Sequence, residues 1–487
     1  MTFTQISIPM GFGPRRYAMT RRRFWHGARL GLLLTGIAAC SSERLVIPNY
    51  NQPTTEGVSK DPKGVQLLAT GILAGSRNSM AGMVQDFGTF GRESYNYFPT
   101  DGRTISNYLV GIPGPQRLDP AGFASGGWAG RYQNQRNAVQ LADVANTTAL
   151  STEQKSAVSG FAKTYRALEL LYVIVSRDTL GAPVDIPADP NSPAPFVSRD
   201  SVYKFISATL DDAATDLQAG GTSFPFTLHS GFAGFDAPAT FLQFNRAIAA
   251  RVLAYRGSLG CGAPCYTQAL TAVAASFASP VGGATSLADL NRGTYNVYST
   301  APGDNTNANS FAQENYIFAH ASIETDAQST PSGTIDDRFT RKVVRLASPV
   351  TPPQNLNIPA THRFTIYPTP SSPAPIIRNE ELMLIRAEAN IFTGNFAAAM
   401  QDINNIRTVS GGGLAPVAIA TPAAGLTALL YERRYSLLFE GQRWNDHRRF
   451  GLLSLLPLDQ AGQFVAKVMP IPQAECDARV TKPPSCI

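Results

Sequence analysis

Charge is scarce in this chain: Asp, Glu, Lys and Arg make up 16% of its 487 residues, against ~25% in an average soluble domain. The formal net charge of +6 does not mark a basic surface. Six arginines and no acid lie in residues 1–39, and the remainder balances 35 basic against 35 acidic residues. Bulk charge therefore gives no support to nucleic-acid binding, and no nucleic-acid module is matched. Histidine is equally sparse. His26, His229, His320, His362 and His447 fall into no metal-ligand spacing such as HExxH, which argues against a zinc hydrolase and leaves neither metal nor cofactor indicated.

The five cysteines divide by position. Cys40 closes an N-terminal segment in which Arg21, Arg22 and Arg23 precede an apolar run over residues 28–39. That run is too short to span a bilayer and reads as a secretory signal over residues 1–39, ending in a bacterial lipobox with Cys40 as the lipidated residue. Ser41 after the cysteine favours the outer membrane over retention in the inner one, and several acyl chains on one cysteine anchor stably. The other four form two close pairs, Cys261 with Cys265 and Cys476 with Cys486. In an oxidising compartment these predict two local disulfides.

Residues 40–62 are polar and proline-bearing, an expected leash, and residues 63–487 are expected to form one domain. Helical signals recur along it. Ser151-Thr152-Glu153-Gln154 is a capping box ahead of Val158, Phe161, Tyr165, Leu168 and Tyr172 at helical spacing. Ser198 caps a second helix with Val202, Phe205, Ile206, Leu210 and Leu217 inward. A third carries Phe241, Phe244, Ile248 and Val252, with Gly257 as its expected stop. Residues 379–408 predict a helical hairpin broken at Gly394-Asn395, resembling a tetratricopeptide unit. Long irregular stretches at 95–127, 181–197, 219–238, 279–312, 346–376 and 411–425 are expected to face ligand. The class is mainly α, with tetratricopeptide-like hairpins as scaffold.

Against this low background, residues 431–451, "YERRYSLLFEGQRWNDHRRFG", hold eight charged side chains in twenty-one positions. On a helix the spacing of Glu432, Ser436, Glu440, Arg443 and Trp444 stacks carboxylates with guanidinium forks. Glu440 and Asp446 as the acid and base of a glycosidase is one reading. The arginines beside each acid oppose it, since they hold carboxyls ionised. The favoured reading is an ion-paired scaffold of Glu432, Arg433, Glu440, Arg443, Trp444, Asp446 and Arg449.

"ERRYSLLFEGQRWNDHRRFG" resembles the C-terminal signature of the SusD/RagB family of outer-membrane nutrient-binding lipoproteins, with Ser436 in place of a usual glutamate and His447 in place of a usual leucine. "WAGRYQNQRNAV", "AKTYRALELLYVIVSRDTLGAPVDI", "SRDSVYKFISATLDDAATDL", "FNRAIAARVLAYRG", the 378–412 segment and "VMPIPQAE" follow the family's order. The resemblance implies a helical, non-catalytic lipoprotein that captures oligosaccharide or peptide for a TonB-dependent transporter of the SusC type.

The family's ligand residues vary, so the expected site rests on composition. Sugars need ring faces for stacking and amides or guanidinium groups for hydroxyls. Tyr95, Asn96, Tyr97, Arg103, Asn107 and Tyr108 supply both in one expected loop; Tyr295, Asn296, Tyr298 and Asn305 form a second rim. Trp128 and Trp444 are expected in the core. The alternatives are an anchored glycoside hydrolase, which needs two carboxylates about 5–10 Å apart in an open cleft, and a tetratricopeptide-type adaptor gripping a protein tail.

Overall fold

The computed structural model describes residues 62–111, 117–189, 192–311, 316–352 and 358–486. The expected signal, the expected lipidation site Cys40 and the expected leash up to residue 61 lie outside the described residues. The chain is mainly helical, with a minor share of strand. Helices of seven or more residues are α1 (Pro62–Asn78), α2 (Met80–Phe90), α3 (Arg103–Leu109), α4 (Ala129–Thr147), α5 (Thr152–Arg177), α6 (Arg199–Gln218), α7 (Pro238–Arg256), α8 (Ala263–Ala274), α9 (Asn379–Phe392), α10 (Phe396–Val409), α11 (Pro422–Ser436) and α12 (Arg443–Arg449).

Caps and apolar stripes explain the long helices. At α5 the Ser151 hydroxyl accepts from the Gln154 amide at 3.2 Å while the Gln154 side chain accepts from the Ser151 amide at 3.1 Å, satisfying two donors that an open helix end leaves bare. Ser198 accepts from the Ser201 amide at the start of α6. Neighbouring helices then pack in series, α4 on α5, α5 on α6, α6 on α7, α7 on α8, with α1 against α4 and α8 against α9. Their shared core includes Phe161, Leu168, Ile206, Leu210, Phe241 and Ile248, all fully buried. Each such side chain contributes about 1.5–3 kcal/mol of burial.

α7 ends at Arg256 with Gly257 as its C-cap, as expected, but Gly257 stays right-handed (φ −54°) and the chain runs on into a π turn over Gly257–Cys261. The break comes at Gly260 (φ 117°) and Gly262 (φ 67°), and the Cys261–Cys265 disulfide spans it. Gly257 is small for a different reason: a Cβ there would meet the Tyr266 ring at 2.7 Å. Further along, α9 and α10 form the hairpin, with Gly394 at φ 83° and the Asn395 side chain accepting from the Ala398 amide. α11 packs on both, and Leu384, Ile391, Ile403 and Leu437 close a second core.

The segment 346–376 is not simply irregular. Strands β1 (Ser94–Asn96), β3 (Ile317–Ala319), β5 (Ala360–Phe364) and β4 (Val343–Val350) make an antiparallel sheet in that spatial order, and β2 (Gly293–Asn296) pairs with β6 (Ala374–Arg378). Most of these strands run three to five residues, too short for a period-two pattern to stand out in Pro- and Ser-rich sequence. Among the described residues no helix is long and apolar enough to cross a membrane.

Candidate ligand-binding site

The charged stretch turns inward. It is two helices rather than one: α11 ends at Ser436, the chain reverses through Phe439 (φ 59°) and Gly441 (φ 74°), and α12 begins at Arg443. Glu432, fully buried, accepts from Arg338 and Arg407, each at 2.6 Å. Arg338 also holds Asp336 at 2.7 Å, and Arg378 bridges Glu380 and Glu440. Asp446 accepts from Arg433 at 2.7 Å and Arg449 at 3.0 Å, and Arg449 reaches Glu388 at 2.6 Å. Ser436 stays in the network, donating to Glu380 at 2.6 Å. Among the described residues Arg443 forms no ion pair; Trp444 is fully buried and its indole donates to the Ala466 carbonyl at 2.7 Å.

Burial pushes the Asp446 carboxyl up, but Arg433 and Arg449 more than reverse that and hold it below its ordinary value. At Glu432 burial wins over Arg338 and Arg407 and the carboxyl is raised. Neither acid has an open face toward substrate, so this cluster ties elements together. Among the described residues no group of three or more His, Cys, Asp or Glu side chains is arranged to hold a metal ion.

A cavity of about 320 Å³ lies where α2, β1, α3, α4 and α5 meet. Asn78 and Ser79 stand at the α1–α2 junction; Gln85 and Asp86 project from α2; Asn96, Thr104 and Tyr108 come from β1 and α3; Phe123, Gly126 and Gly127 cover one side. The polar walls are held from behind. Asn96 donates to the Gln85 amide oxygen at 3.3 Å, Gln85 donates to the Asn309 side chain at 3.0 Å, and the Thr104 hydroxyl donates to the Asn96 carbonyl at 3.0 Å. At the back, Arg131 is buried against Glu169 at 2.8 Å and the Ser76 carbonyl at 3.0 Å, its guanidinium 4.4 Å from the Tyr172 ring centre. Burial pushes the Asp86 carboxyl up to about 7, against the Tyr108 hydroxyl and the Arg177 charge, which favour its ionised form.

Of the two segments chosen from composition, the first borders this cavity through Asn96 and Tyr108, in an arrangement unlike an open loop. β1 explains the difference: alternation along a strand puts Tyr95 and Tyr97 on one face and Asn96 on the other. Tyr95 and Tyr97 therefore enter a small core with Ile105 and Phe318, their hydroxyls bonded to Asp459 and to the Ile358 carbonyl. Their ring faces are not offered to solvent, and Tyr108 is buried against Phe90 at 5.1 Å. Asn96 faces the cavity. Arg103 is exposed, paired with Asp101 at 2.6 Å and lying 4.7 Å from the Phe123 ring centre. Asn107 is half-buried on α3 and lines no part of the cavity.

In the second segment Asn296 is buried within β2 and Tyr298 is buried beneath Arg77, 5.9 Å from its guanidinium. Tyr295, half-buried, spends its hydroxyl on the Asn291 carbonyl. Asn305 lies outside the lining and donates to Asn78 on the cavity wall, with Arg77 bonded to Asp304 and to the Val297 carbonyl. Composition passed over the open rings: Phe98, packed edge-on to Tyr316 at 5.0 Å, and Phe123, about half exposed. A bulky ring inside the glycine-rich run Gly122–Gly127 is the signal that marks Phe123.

Fold and cavity together define a helical-repeat scaffold carrying a polar pocket rimmed by an exposed ring. The SusD family model matches residues 361–481. Three solved structures share the fold at TM-scores of 0.64, 0.63 and 0.56: a SusD-like carbohydrate binding protein from Bacteroides fragilis (15% identity, 86% of this chain and 99% of that one), surface glycan-binding protein A from Bacteroides uniformis (16%, 86% and 99%) and a laminarin binding SusD-like protein (17%, 87% and 99%). No curated protein matches. The C-terminal quarter of the chain thus matches the SusD family model, and the whole described fold is that of the SusD-like structures.

Proposed function

We propose that this chain is a non-catalytic, surface-exposed lipoprotein of the outer membrane, anchored through Cys40, that captures oligosaccharide and delivers it to a SusC-like TonB-dependent transporter. The observation that carries the reading is the α2–β1–α4 cavity, where amides, hydroxyls and one exposed ring converge without a pair of open carboxylates. Sugar recognition uses that combination: the apolar face of a pyranose covers a ring while its hydroxyls pair with fixed polar groups. The names of the glycan-binding and laminarin binding neighbours support the same direction. Asn78, Asn96 and Phe123 take the leading places in this site, with Asn305 and Arg103 at its edge.

Isothermal titration of the chain lacking residues 1–40 against oligosaccharides and peptides, with product release followed in parallel, tests the reading. Saturable glycan binding without turnover is expected. Phe123→Ala should weaken it by a few-fold to about ten-fold, a stacked ring being worth about 0.5–1.5 kcal/mol beyond its buried area. Binding of peptides alone, or turnover, would replace the proposal.

A further inference from the structure

A second cavity, of about 270 Å³, lies against the other face of α4. Ala129, Tyr132, Gln133 and Arg136, spaced as one helix face, form one of its walls, while Arg131 on the inner face lines the first cavity. The loop after α5 forms the opposite wall and is fixed at its carbonyls. Tyr132 donates to Pro183 at 2.8 Å, Arg166 to Val184 at 3.0 Å, Arg136 to Pro187 at 2.7 Å and Arg479 to Ala194 at 2.8 Å. A wall held in this way spares an incoming ligand the cost of ordering it.

The lining combines apolar faces with open polar groups. Tyr132 is half-buried, and Pro187 and Pro193 add saturated rings beside it. Arg136 spends only Nη2, which leaves Nε and Nη1 to donate; the exposed Asp185 carboxylate accepts no hydrogen bond among the described residues, and the Gln133 amide, donating to Asn137 at 3.1 Å, keeps its oxygen free to accept. The start of α4 separates the two cavities: Gly126 and Gly127 line the first, Ala129 the second. Trp128 between them is buried, so the exposed ridge consists of Gly126, Gly127, Ala129 and Gly130. A φ of 72° calls for glycine at 127, but Gly126 (φ −56°) and the helical Gly130 have no such need. At Gly130 a Cβ would stand 3.2 Å from the hydroxyl of Ser79, a residue of the first cavity. No side chain longer than a methyl group rises from this ridge.

We infer that the cavity on the outer face of α4 is a second saccharide subsite, and that one glycan chain lies across Gly126–Gly130 with a part in each cavity. The inference rests on the glycan-capture reading and deepens it, making the ligand a chain of several sugar units. Sugar hydroxyls both donate and accept, so a guanidinium edge, a carboxylate and an amide oxygen around one ring face suit them. Joining two sites through one ligand turns the second contact into an intramolecular step. Affinity therefore climbs once the chain is long enough to reach both.

The test titrates the chain lacking residues 1–40 with gluco-, xylo-, manno- and galacto-oligosaccharides from disaccharide to octasaccharide, following affinity, stoichiometry and product release. In the series that binds, saturation should place two disaccharides but one octasaccharide on each chain, with the octasaccharide at least about ten-fold tighter. Ala129→Phe, which raises a ring on the ridge, and Asp185→Ala, which removes an open acceptor, should each lower the octasaccharide-to-disaccharide affinity ratio at least about three-fold. Both positions are exposed, so the fold accommodates either change. A single site for ligands of either length, or a ratio that neither substitution moves, overturns the inference while leaving glycan capture standing. Release of shorter products, with Asp185 and Asp189 as a catalytic pair, overturns both readings, and so does the absence of any glycan binding.

Discussion

Glu93, between α2 and β1, is a carboxylic acid taken almost entirely out of water. Burial pushes it from an ordinary 4.5 up to about 7, against Arg443, Arg434 and a backbone hydrogen bond at Phe439, all of which favour the ion. An acid with a raised folded pKa contributes stability that is complete below its unfolded value and lost as pH climbs through the folded one. Between pH 4.5 and 7 Glu93 therefore costs the fold progressively, by up to ~3 kcal/mol at the top of the window. Asp86 works in the same direction. His320 works the other way: burial, then the charges of Arg443 and Arg434, lower it to about 3, so its neutral ring costs stability as pH falls from 6.5 toward 3. Its contact with Asp459 is accordingly a hydrogen bond of a neutral imidazole at 3.1 Å. Glu93→Gln should melt several degrees above the parent at pH 8, with the gap closing by pH 5. Melting curves that stay parallel across that range would show that the carboxyl titrates normally.

At the scale of elements, two glycines that look alike in sequence separate in the structure. Gly160 sits in the middle of α5, where a Cβ would meet Leu217 Cγ at 2.6 Å and the Ala213 carbonyl at 3.0 Å, both on α6. Gly71 sits in α1 with nothing within 4 Å of the added carbon. Alanine improves helix propensity at both by about 1 kcal/mol, but at Gly160 overpacking costs about 1–3 kcal/mol. Gly71→Ala should raise the melting temperature and Gly160→Ala should lower it; the same sign for both would mean the α5–α6 contact yields. This division also explains what could be read from the chain in advance. The capping box at Ser151, the Ser198 cap and the Gly394-Asn395 break are local signals, decided within four residues, and the helices they predict are present. β1 depends on a partner more than two hundred residues away, Tyr95 lying opposite Phe318, so Tyr95 and Asn96, read as part of a loop, lie on a strand. Asn78 and Asp86 were missed for the same reason: nothing local marks them, and only β1, α3 and the Phe123 loop make them cavity wall.

Across the whole molecule, the arginine-rich C-terminal stretch ties together segments that lie far apart in the chain. Glu432 on α11 connects Arg338, in the short helix Asp337–Lys342 before β4, to Arg407 on α10; Arg378 at the end of β6 connects Glu380 on α9 to Glu440; Arg449 on α12 connects back to Glu388 on α9. Such pairs are not simple gains, because desolvating the charges consumes much of their attraction. Their loss is nonetheless severe, since removing one partner strands the others without water. Glu432→Ala leaves Arg338 with Asp336 alone and Arg407 with no buried carboxylate, which should cost about 3–5 kcal/mol in denaturant unfolding. Ligand affinity of the folded fraction should be unchanged, because none of these residues lines the cavity. A stability loss below about 1 kcal/mol would mean that water reaches the cluster. A variant of normal stability that has lost its ligand would mean that the charged stretch, and not the α2–β1–α4 cavity, holds the functional site.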